Sequence, residues 1–484
     1  MPPLTQQNLT ELPEGVPGPG YDRGRLQTGI VHFGVGGFHR AHQAMYLDRL
    51  MNEGKALDWA ICGVGVMPAD LGMRDVLDAQ DGLYTLVVKA PDGTLEPRVI
   101  GSIKEYLFAP EDPEAVIAKM VSPEIKIVSL TVTEGGYNIN AVTGEFVSDN
   151  PDIQHDLQPG NQPKTTFGLV VEALARRKAA GTPPFTIMSC DNIQGNGHAA
   201  QRSFVAYAAL RDPELGTWVE DNVAFPNSMV DRITPVTTDE DRALVRSRFG
   251  IDDGWPVVCE PFTQWVLEDT FNQGRPPFEE AGVQVVDDVE PYELMKLRLL
   301  NASHQALCYF GYLAGYRLVH DVAQEPLFAD FLLAYMEQEA SPTLAPVPGI
   351  ELDDYRHQLI ERFSNAQVRD TVARLCAESS DRIPKWLLPV IRHNLETGGP
   401  ILRATAVVAS WARYAEGRDE EGRPIEVVDR LAPELKQRAL DRTFIQNRDL
   451  FGDLAENERF ASTYQQVLDL LHERGSRKTL KELE

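Results

Sequence analysis

Residues 29–37 have the sequence GIVHFGVGG, and this stretch predicts the fold of the N-terminal half of the chain. The apolar run 29–33 is typical of a buried strand, and apolar residues at helical spacing over 38–51 predict a helix directly after the glycines. A second apolar run at 59–64 completes a strand–helix–strand unit. The glycines thus lie where a strand passes into a helix, a position suited to holding a pyrophosphate on backbone N–H groups.

The glycine motif differs from the usual dinucleotide-binding fingerprint at one position. The fingerprint has a glycine or alanine five residues after its first glycine, whereas this chain has His39 there. The position between a buried strand and a helix nevertheless favours a nucleotide site over the alternative, an ordinary tight turn. The cofactor-binding residues predicted in this turn are Gly34, Gly36, Gly37 and Phe38.

An acidic residue, Asp70, follows the second predicted strand. It lies farther from Gly34 than the spacing of about 20 residues that is typical of the fingerprint. A carboxylate at this point accepts hydrogen bonds from the adenosine ribose and repels the extra phosphate of NADP, so Asp70 favours NAD. A helix cap or a surface charge is the alternative role.

The remaining pattern predicts two domains. Residues 1–288 are expected to form an α/β Rossmann-type domain with a doubly wound parallel sheet, preceded by an irregular segment through residue 27. Residues 289–484 are expected to form a mostly α-helical domain. Further strands are predicted at 83–89 and 96–103, as an inserted hairpin, and at 125–130, 185–189 and 283–286, with helices at 164–179, 197–211, 291–314, 326–339, 352–362, 365–377, 401–416 and 430–442.

Charge and residue spacing argue against binding to nucleic acids, anionic membranes or a metal ion. Lys and Arg number 46 against 72 Asp and Glu, giving a net charge of −26, which disfavours binding to nucleic acids and anionic membranes. The five cysteines are widely separated, and the cluster of His32, His39 and His42 lacks zinc-like spacing, so no metal site is predicted. With no signal-peptide pattern at the N-terminus, we expect a cytoplasmic protein. Since the sequence shows no obvious exposed apolar stripe, we expect a monomer.

A second informative stretch is YELMKLRLLNASH, residues 292–304. On an α-helix, Glu293, Lys296, Asn301 and His304 fall within an arc of about 140°. Taken singly, such a histidine is usually structural and such a lysine is usually a surface charge. Together they suit metal-free alcohol oxidation, since a desolvated lysine can accept the hydroxyl proton, an amide can stabilise the alkoxide, and a histidine can orient the hydroxyl.

With these residues the chain resembles the polyol-specific long-chain dehydrogenases, over nearly its whole length. The resemblance is carried by long motifs: GVGGFHRAH at 34–42, TVTEGGY at 131–137, SCDN at 189–192, MVDRITP at 229–235, and Lys296-x4-Asn301-x2-His304. It implies a zinc-independent NAD enzyme with a Rossmann-type N-terminal domain, a helical C-terminal domain, and the polyol bound between them.

The resemblance also implies roles for individual residues. Lys296 would be the general base, with Glu293 passing its proton to water and Asn192 and Asn301 stabilising the alkoxide. His304 and Asp231 would bind substrate hydroxyls. Further implied residues are Asp70, Thr131 and Glu134 for the cofactor, with Glu134 in a loop over the nicotinamide or merely in a turn, and Arg374, Arg382 and, more weakly, Lys385 for the substrate. Family members can carry lysine at the position of Arg382, and an arginine hydrogen-bonds with different geometry.

Oxidation of D-mannitol to D-fructose is the leading activity that the resemblance implies. D-arabinitol, D-sorbitol and, for the hexuronate-reducing branch, a hexuronate remain alternatives, because spacing does not reveal the shape of a substrate pocket. A non-catalytic NAD-binding regulator is the alternative from another class, although it has no use for the Lys–Asn–His set.

Overall fold

The computed structural model describes residues 3–140 and 144–483 of the chain. The chain forms two compact units, Met1–Val289 and Glu290–Glu484. The N-terminal unit is built around a parallel sheet and the C-terminal unit is mostly helical, which confirms the predicted fold class.

Parallel strands form the centre of the N-terminal unit. The strands in its described part are β1 (Thr28–Phe33), β2 (Ala60–Gly65), β3 (Tyr84–Lys89), β4 (Leu95–Ile100), β5 (Ile103–Phe108), β6 (Ile127–Leu130), β7 (Thr186–Ser189), β8 (Ser228–Asp231), β9 (Val257–Cys259), β10 (Gln264–Glu268) and β11 (Gln284–Val286). The main sheet has the order β5-β2-β1-β6-β7, with every pairing parallel. Because the chain runs from β1 to β2 on one side and returns to β6 on the other, the loops after β1 and β6 meet at a switch point, where such sheets bind ligands.

Two smaller sheets, β4-β3-β9 and β11-β10-β8, accompany the main one. The predicted hairpin is confirmed: β3 and β4 are antiparallel, with Tyr84 opposite Ile100 and Lys89 opposite Leu95. The predicted strand 96–103 is wrong at its end, since β4 stops at Ile100 and a separate strand, β5, begins at Ile103. Strands β8, β9 and β10 were not predicted, because runs of three to five residues carry little periodicity.

Side chains alternate across the main sheet and bury it on both sides. On β1, Val31 and Phe33 enter one core cluster and Ile30 enters the other. The described helices of this unit are α1 (Gly37–Ala41), α2 (Gln43–Asn52), α3 (Leu71–Ala79), α4 (Pro113–Val121), α5 (Pro151–Leu157), α6 (Thr166–Ala180), α7 (Asn196–Arg211), α8 (Pro213–Asn222) and α9 (Asp239–Phe249). The single helix predicted over 38–51 is therefore wrong, since His42 leaves the helical conformation (φ −126°, ψ −92°) and separates α1 from α2.

The C-terminal unit consists of helices throughout its described part. They are α10 (Glu290–Met295), α11 (Ala302–Leu313), α12 (Val319–Ala323), α13 (Pro326–Tyr335), α14 (Leu352–Phe363), α15 (Val372–Cys376), α16 (Ser379–Trp386), α17 (Leu388–Thr397), α18 (Leu402–Ala415), α19 (Ala432–Leu440), α20 (Arg448–Phe451) and α21 (Glu458–Glu482). Short 3-10 turns in the two units occur at Gln6–Glu11, Arg23–Arg25, Pro68–Asp70, Glu134–Tyr137, Phe278–Ala281, Ser341–Thr343, Phe444–Gln446 and Leu454–Glu456.

Two segments of this unit are π-helical rather than α-helical: Lys296–Asn301 and Met336–Ala340. The first of them interrupts the helix predicted over 291–314. The helix predicted over 365–377 is mostly wrong, since only α15 is helical there; the Thr371 hydroxyl accepts from the N–H of Arg374 and sets the start of α15. Within the residues that the structure describes, no helix is both long and apolar enough to cross a membrane.

Candidate active site

The glycine turn lies between β1 and α1, at the switch point of the main sheet. Gly34 has φ +90°, and a Cβ built on it would lie 2.1 Å from the carbonyl oxygen of Thr131. Both the conformation and the close approach therefore require glycine. At Gly36 a Cβ would meet nothing nearer than 3.9 Å, so that position leaves open space in front of α1. This arrangement fits a dinucleotide, whose pyrophosphate needs close access to backbone N–H groups.

Thr131 and His32 hold the glycine turn in place. The Thr131 hydroxyl donates to the Gly34 carbonyl at 2.7 Å and lies 2.9 Å from Nε2 of His32. The Nδ1 of His32 bonds Ser129 Oγ at 2.7 Å. Thr131 was predicted as a cofactor residue, and the structure places it at the turn with its hydroxyl bonded to the turn's own backbone.

The histidine that replaces the third glycine of the fingerprint packs on His32. The rings of His32 and His39 are stacked, with centroids 3.5 Å apart and planes inclined by 10°. Burial lowers the pKa of His32 to about 3 and holds the pKa of His39 well below its usual value, so both rings are neutral. His39, which stands where the fingerprint has its third glycine, is thus accommodated by stacking on His32. Phe38 is half-buried beside it, and its ring stacks on His42 with centroids 4.9 Å apart.

Asp70 lies just beyond β2, in the 3-10 turn that precedes α3. Its Oδ2 accepts from the N–H groups of Val66 and Met67, each at 2.9 Å. Its side chain makes no capping bond to α3 itself, but the bond from the Met67 N–H caps the 3-10 turn Pro68–Asp70, so a capping role accounts for one carboxylate oxygen. Among the described residues Oδ1 has no hydrogen-bond partner, so one carboxylate oxygen is left for a ribose hydroxyl.

A buried carboxylate, Asp191, ties the segments after β6 and β7 together. It accepts from the N–H of Val132 at 3.1 Å, from the N–H of Thr133 at 2.7 Å and from the Tyr137 hydroxyl at 2.6 Å. Thr133 has φ +68°, a conformation that costs a non-glycine residue energy and that these bonds help to maintain. Glu134 begins the next 3-10 turn, but its side chain lies outside the described part of the structure.

Asn192, predicted to stabilise the alkoxide, directly follows Asp191 at the same edge of the sheet. Asp191 lies within the SCDN motif at 189–192, but this anchoring role was not predicted. The position of an acidic residue directly before Asn192, a predicted active-site amide, could have indicated this role. His32 was missed in the same way, although a histidine inside an otherwise apolar strand is itself unusual.

Asp231, predicted to bind substrate, is the buried last residue of β8 and lies opposite Gln264 of β10 in the antiparallel register. The next residue, Arg232, donates to the carbonyl of Ala41, at the end of α1, at 2.8 Å. His42 Nε2 bonds the carbonyl of Gln264 at 2.8 Å. The strand that carries Asp231 is therefore fastened to the helix that follows the glycine turn.

In the C-terminal unit, Lys296 and Asn301 are the first and last residues of a π segment. The N–H of Ala302 donates to the carbonyl of Leu297, five residues back. A π turn holds more residues than an α turn, so Lys296 and Asn301 lie closer in direction around the helix axis than the α-helical arc predicted. Glu293 on α10 and His304 on α11 flank the segment, and these four side chains are at most 8% exposed. The π segment brings Lys296 and Asn301 towards the same side of the helix, and the spacing of these residues in the sequence did not predict a π segment.

His304 packs against the Phe363 ring, with centroids 4.5 Å apart. Near it, Arg374 binds Asp370 with both ends of its guanidinium, at 2.7 and 2.5 Å. Although burial opposes it, the hydrogen bond and charge of Arg374, together with His304, hold the pKa of Asp370 below its usual value. Arg374 is thus held beside His304 by a carboxylate.

The other two predicted substrate residues have different surroundings. Arg382 donates to the carbonyls of Arg374 and Leu375 at 3.2 Å and lies over the Trp386 ring at 5.6 Å. Lys385 is exposed at the end of α16. Their roles in substrate binding stay predictions. The described residues include no group of three or more His, Cys, Asp or Glu that could hold a metal ion.

Comparison with known proteins assigns both halves of the chain. The mannitol dehydrogenase Rossmann domain family matches residues 28–280, and the mannitol dehydrogenase C-terminal domain family matches residues 288–472. A mannitol 2-dehydrogenase of Neosartorya fischeri is 47% identical, covering 99% of this chain and 98% of that protein. A mannitol 2-dehydrogenase of Phaeosphaeria nodorum is also 47% identical, covering 99% and 85%.

Solved structures agree. The mannitol 2-dehydrogenase of Pseudomonas fluorescens, in a ternary complex with NAD and D-mannitol, superposes with a TM-score of 0.94 at 46% identity, covering 100% of this chain and 99% of that one. A D-sorbitol dehydrogenase in substrate-free form gives 0.89 at 40% identity, covering 99% and 100%. The predicted resemblance is confirmed, and the chain belongs to the mannitol dehydrogenase family.

Proposed function

We propose that this protein is an NAD-dependent, zinc-independent polyol dehydrogenase that interconverts D-mannitol and D-fructose. The observation that carries the proposal is the buried π segment with Lys296 and Asn301 at its ends, flanked by Glu293 and His304. A lysine, a carboxylate, an amide and an imidazole in apolar surroundings suit proton transfer from a hydroxyl without a metal. The near full-length similarity to mannitol 2-dehydrogenases supports mannitol as the polyol.

In the proposed reaction, neutral Lys296 removes the proton from the hydroxyl on C2 of the polyol. Asn301 and Asn192 donate hydrogen bonds to the oxygen as negative charge develops on it. His304 and Asp231 hold neighbouring hydroxyls, and Glu293 passes the proton from Lys296 to water. When bound, NAD supplies the acceptor for the hydride that leaves C2.

The N-terminal unit supports NAD as the cofactor. The glycine turn leaves open space in front of α1, and in our proposal Oδ1 of Asp70 accepts from a ribose hydroxyl, since only Oδ2 is bonded to Val66 and Met67. The same carboxylate would repel the extra phosphate of NADP. The similarity to a protein solved with NAD points the same way.

D-sorbitol is the second candidate substrate, since a D-sorbitol dehydrogenase covers the whole chain at 40% identity. D-sorbitol differs from D-mannitol in the configuration at C2, so the two polyols present their hydrogen and hydroxyl to the catalytic groups differently. The ratio of kcat/KM for D-mannitol to that for D-sorbitol, measured with NAD, distinguishes them. A ratio well above one supports D-mannitol, and a ratio below one supports D-sorbitol.

Replacement of Lys296 tests the mechanism. In Lys296→Ala we expect kcat for D-mannitol to fall by about 10²–10⁴-fold at neutral pH, because the general base is lost. NAD should still raise the thermal midpoint, since the nucleotide-binding residues lie in the other unit. Lys436→Ala, an exposed position on α19, is the matched control and should keep wild-type turnover. Wild-type turnover in Lys296→Ala would overturn the mechanism.

A further inference from the structure

The π segment that carries Lys296 and Asn301 receives a hydrogen bond from outside its own helix. Tyr335, the last residue of α13, is fully buried, and its hydroxyl donates to the main-chain carbonyl of Arg298 at 3.1 Å. Arg298 lies in the middle of the π segment. A side chain distant in sequence therefore bonds the backbone between the two proposed catalytic residues.

This carbonyl does not receive the N–H donor that it would have in a regular α-helix. In an α-helix, the carbonyl of Arg298 would accept from the N–H of Ala302, four residues on. Here the N–H of Ala302 is directed to the carbonyls of Leu297 and Leu299. Buried carbonyls need donors, and the Tyr335 hydroxyl supplies one to this carbonyl, whose α-helical donor is directed elsewhere.

The side chain of Arg298 provides a second connection. Its Nη1 donates to the carbonyl of Thr343 at 2.6 Å and to the hydroxyl of Thr343 at 2.9 Å. The Thr343 hydroxyl in turn donates to the carbonyl of Ala340 at 2.6 Å. The backbone carbonyl and the side chain of Arg298 are thus both hydrogen-bonded to the segment 335–343.

That stretch is itself firmly held. It contains the second π segment, in which the Glu339 carboxylate accepts from the N–H groups of Arg403 and Ala404 at the start of α18, at 2.7 and 2.8 Å. The Asn394 side chain donates to the carbonyl of Glu339 at 2.9 Å. The segment that carries Tyr335 and Thr343 is therefore fixed in position by hydrogen bonds at Glu339.

We propose that Tyr335, together with Arg298, is a positioning residue for polyol oxidation: it stabilises the π form of 296–301 and so keeps Lys296 and Asn301 aligned on one oxygen. Each residue of an α-helix turns by about 100°, so a return to regular α-helical geometry would rotate Asn301 away from Lys296. The inference rests on the proposed roles of these two residues. The hydroxyl of Tyr335, which touches neither substrate nor cofactor in this account, acts through the backbone.

The test is Tyr335→Phe, which removes only the hydroxyl. We expect kcat for D-mannitol, expressed per NADH-binding site, to fall at least tenfold, while KM for NAD stays within twofold. We also expect the primary isotope effect on kcat with 2-deuterated mannitol to be at least as large as in the wild type, because hydride transfer has become slower. Lower stability alone would reduce the number of NADH-binding sites and leave kcat per site unchanged.

Tyr464→Phe is the matched control. Tyr464 lies on α21 and is also buried, and its hydroxyl has no hydrogen-bond partner among the described residues. We expect this variant to keep wild-type kcat. Thr343→Val, which removes one of the bonds to Arg298 with little change in volume, should lower kcat per site about two- to fivefold and serves if Tyr335→Phe does not fold.

The outcomes separate this inference from the proposed function. If Lys296→Ala abolishes mannitol oxidation but Tyr335→Phe and Thr343→Val keep kcat per site within twofold of the wild type, the positioning role is wrong and the proposed function stands. If Lys296→Ala retains turnover, the proposed function fails, and the inference fails with it.

Discussion

The glycine turn before α1 and the π segment between α10 and α11 both interrupt regular structure, but they are stabilised in different ways. The turn depends on a residue within it, Gly34, whose position admits no side chain. The π segment consists of ordinary helix-forming residues and is stabilised from outside, by Tyr335. An interruption of the first kind is visible in the sequence, whereas one of the second kind becomes visible only when the distant partner is located.

The largest expected effect in the turn is that of Gly34→Ala. The added Cβ would collide with the Thr131 carbonyl in a backbone conformation unfavourable for alanine, so we expect the free energy of unfolding to fall by about 3 kcal/mol and NAD binding to be lost. Urea unfolding and NAD titration measure both quantities.

Gly36→Ala provides the contrast. Its Cβ would meet nothing within 3.5 Å in the protein, so we expect stability within about 0.5 kcal/mol of the wild type. NAD affinity should nevertheless fall, because the methyl group enters space that the pyrophosphate needs. Unchanged NAD affinity in Gly36→Ala would contradict the proposed nucleotide site.

A smaller effect is expected at Asp191, which stabilises a strained residue, Thr133, through hydrogen bonds as Tyr335 stabilises the π segment. Asp191→Asn places an NH₂ group where a carboxylate oxygen accepts from N–H or O–H donors, so we expect the free energy of unfolding to fall by about 2 kcal/mol. Turnover of D-mannitol should also fall, since Asn192 is adjacent. Tyr137→Phe, which removes a single donor, should cost about 1 kcal/mol. Wild-type stability in Asp191→Asn would show that these bonds do not support the turn.

A further expected effect is a pH dependence of stability that arises beside the glycine turn, where His32 is buried. The pKa of His32 is about 3 in the folded chain and about 6.5 when unfolded, so below pH 6.5 the unfolded chain binds a proton that the folded chain does not. Stability therefore declines as the pH falls from 6.5 towards 3, and His32 contributes on the order of 1 kcal/mol to the loss between pH 7.5 and 5.5.

Urea unfolding at these two pH values tests this expectation. His32→Asn, although less stable, should lose less stability than the wild type on acidification, by on the order of 1 kcal/mol. His357→Asn, at an exposed position on α14, is the control and should behave like the wild type. An equal loss in His32→Asn and the wild type would mean that the buried ring is not neutral.

Much of the N-terminal sheet was predictable, because β1 and β2 are mostly apolar runs that end at glycines and the β3–β4 hairpin has a distinct turn. The break at His42 was not predicted, since it depends on a bond from the His42 ring to Gln264, more than 200 residues away in sequence. Strands as short as β9 form only because a neighbouring strand supplies their hydrogen bonds, and no local pattern marks them.

The candidate site shows the same division. The residue types at Lys296, Asn301 and His304 indicated the chemistry, since polar groups in an apolar helix need a reason to be there. Their arrangement was not predictable, because the hydrogen-bond shift in 296–301 depends on Tyr335. Asp191 was overlooked for a related reason: it supports the backbone of a segment that is remote in sequence.

The junction between α1 and β8 has a consequence for redesign. Arg232 follows Asp231 directly and donates to the Ala41 carbonyl at the end of α1, so the strand of the proposed substrate residue is bonded to the helix after the glycine turn. Substitutions that change polyol preference by moving the backbone near Asp231 would also shift α1 and the proposed nucleotide site before it. Side-chain substitutions that keep the bond from Arg232 to the Ala41 carbonyl are better suited to changing which polyol the protein prefers.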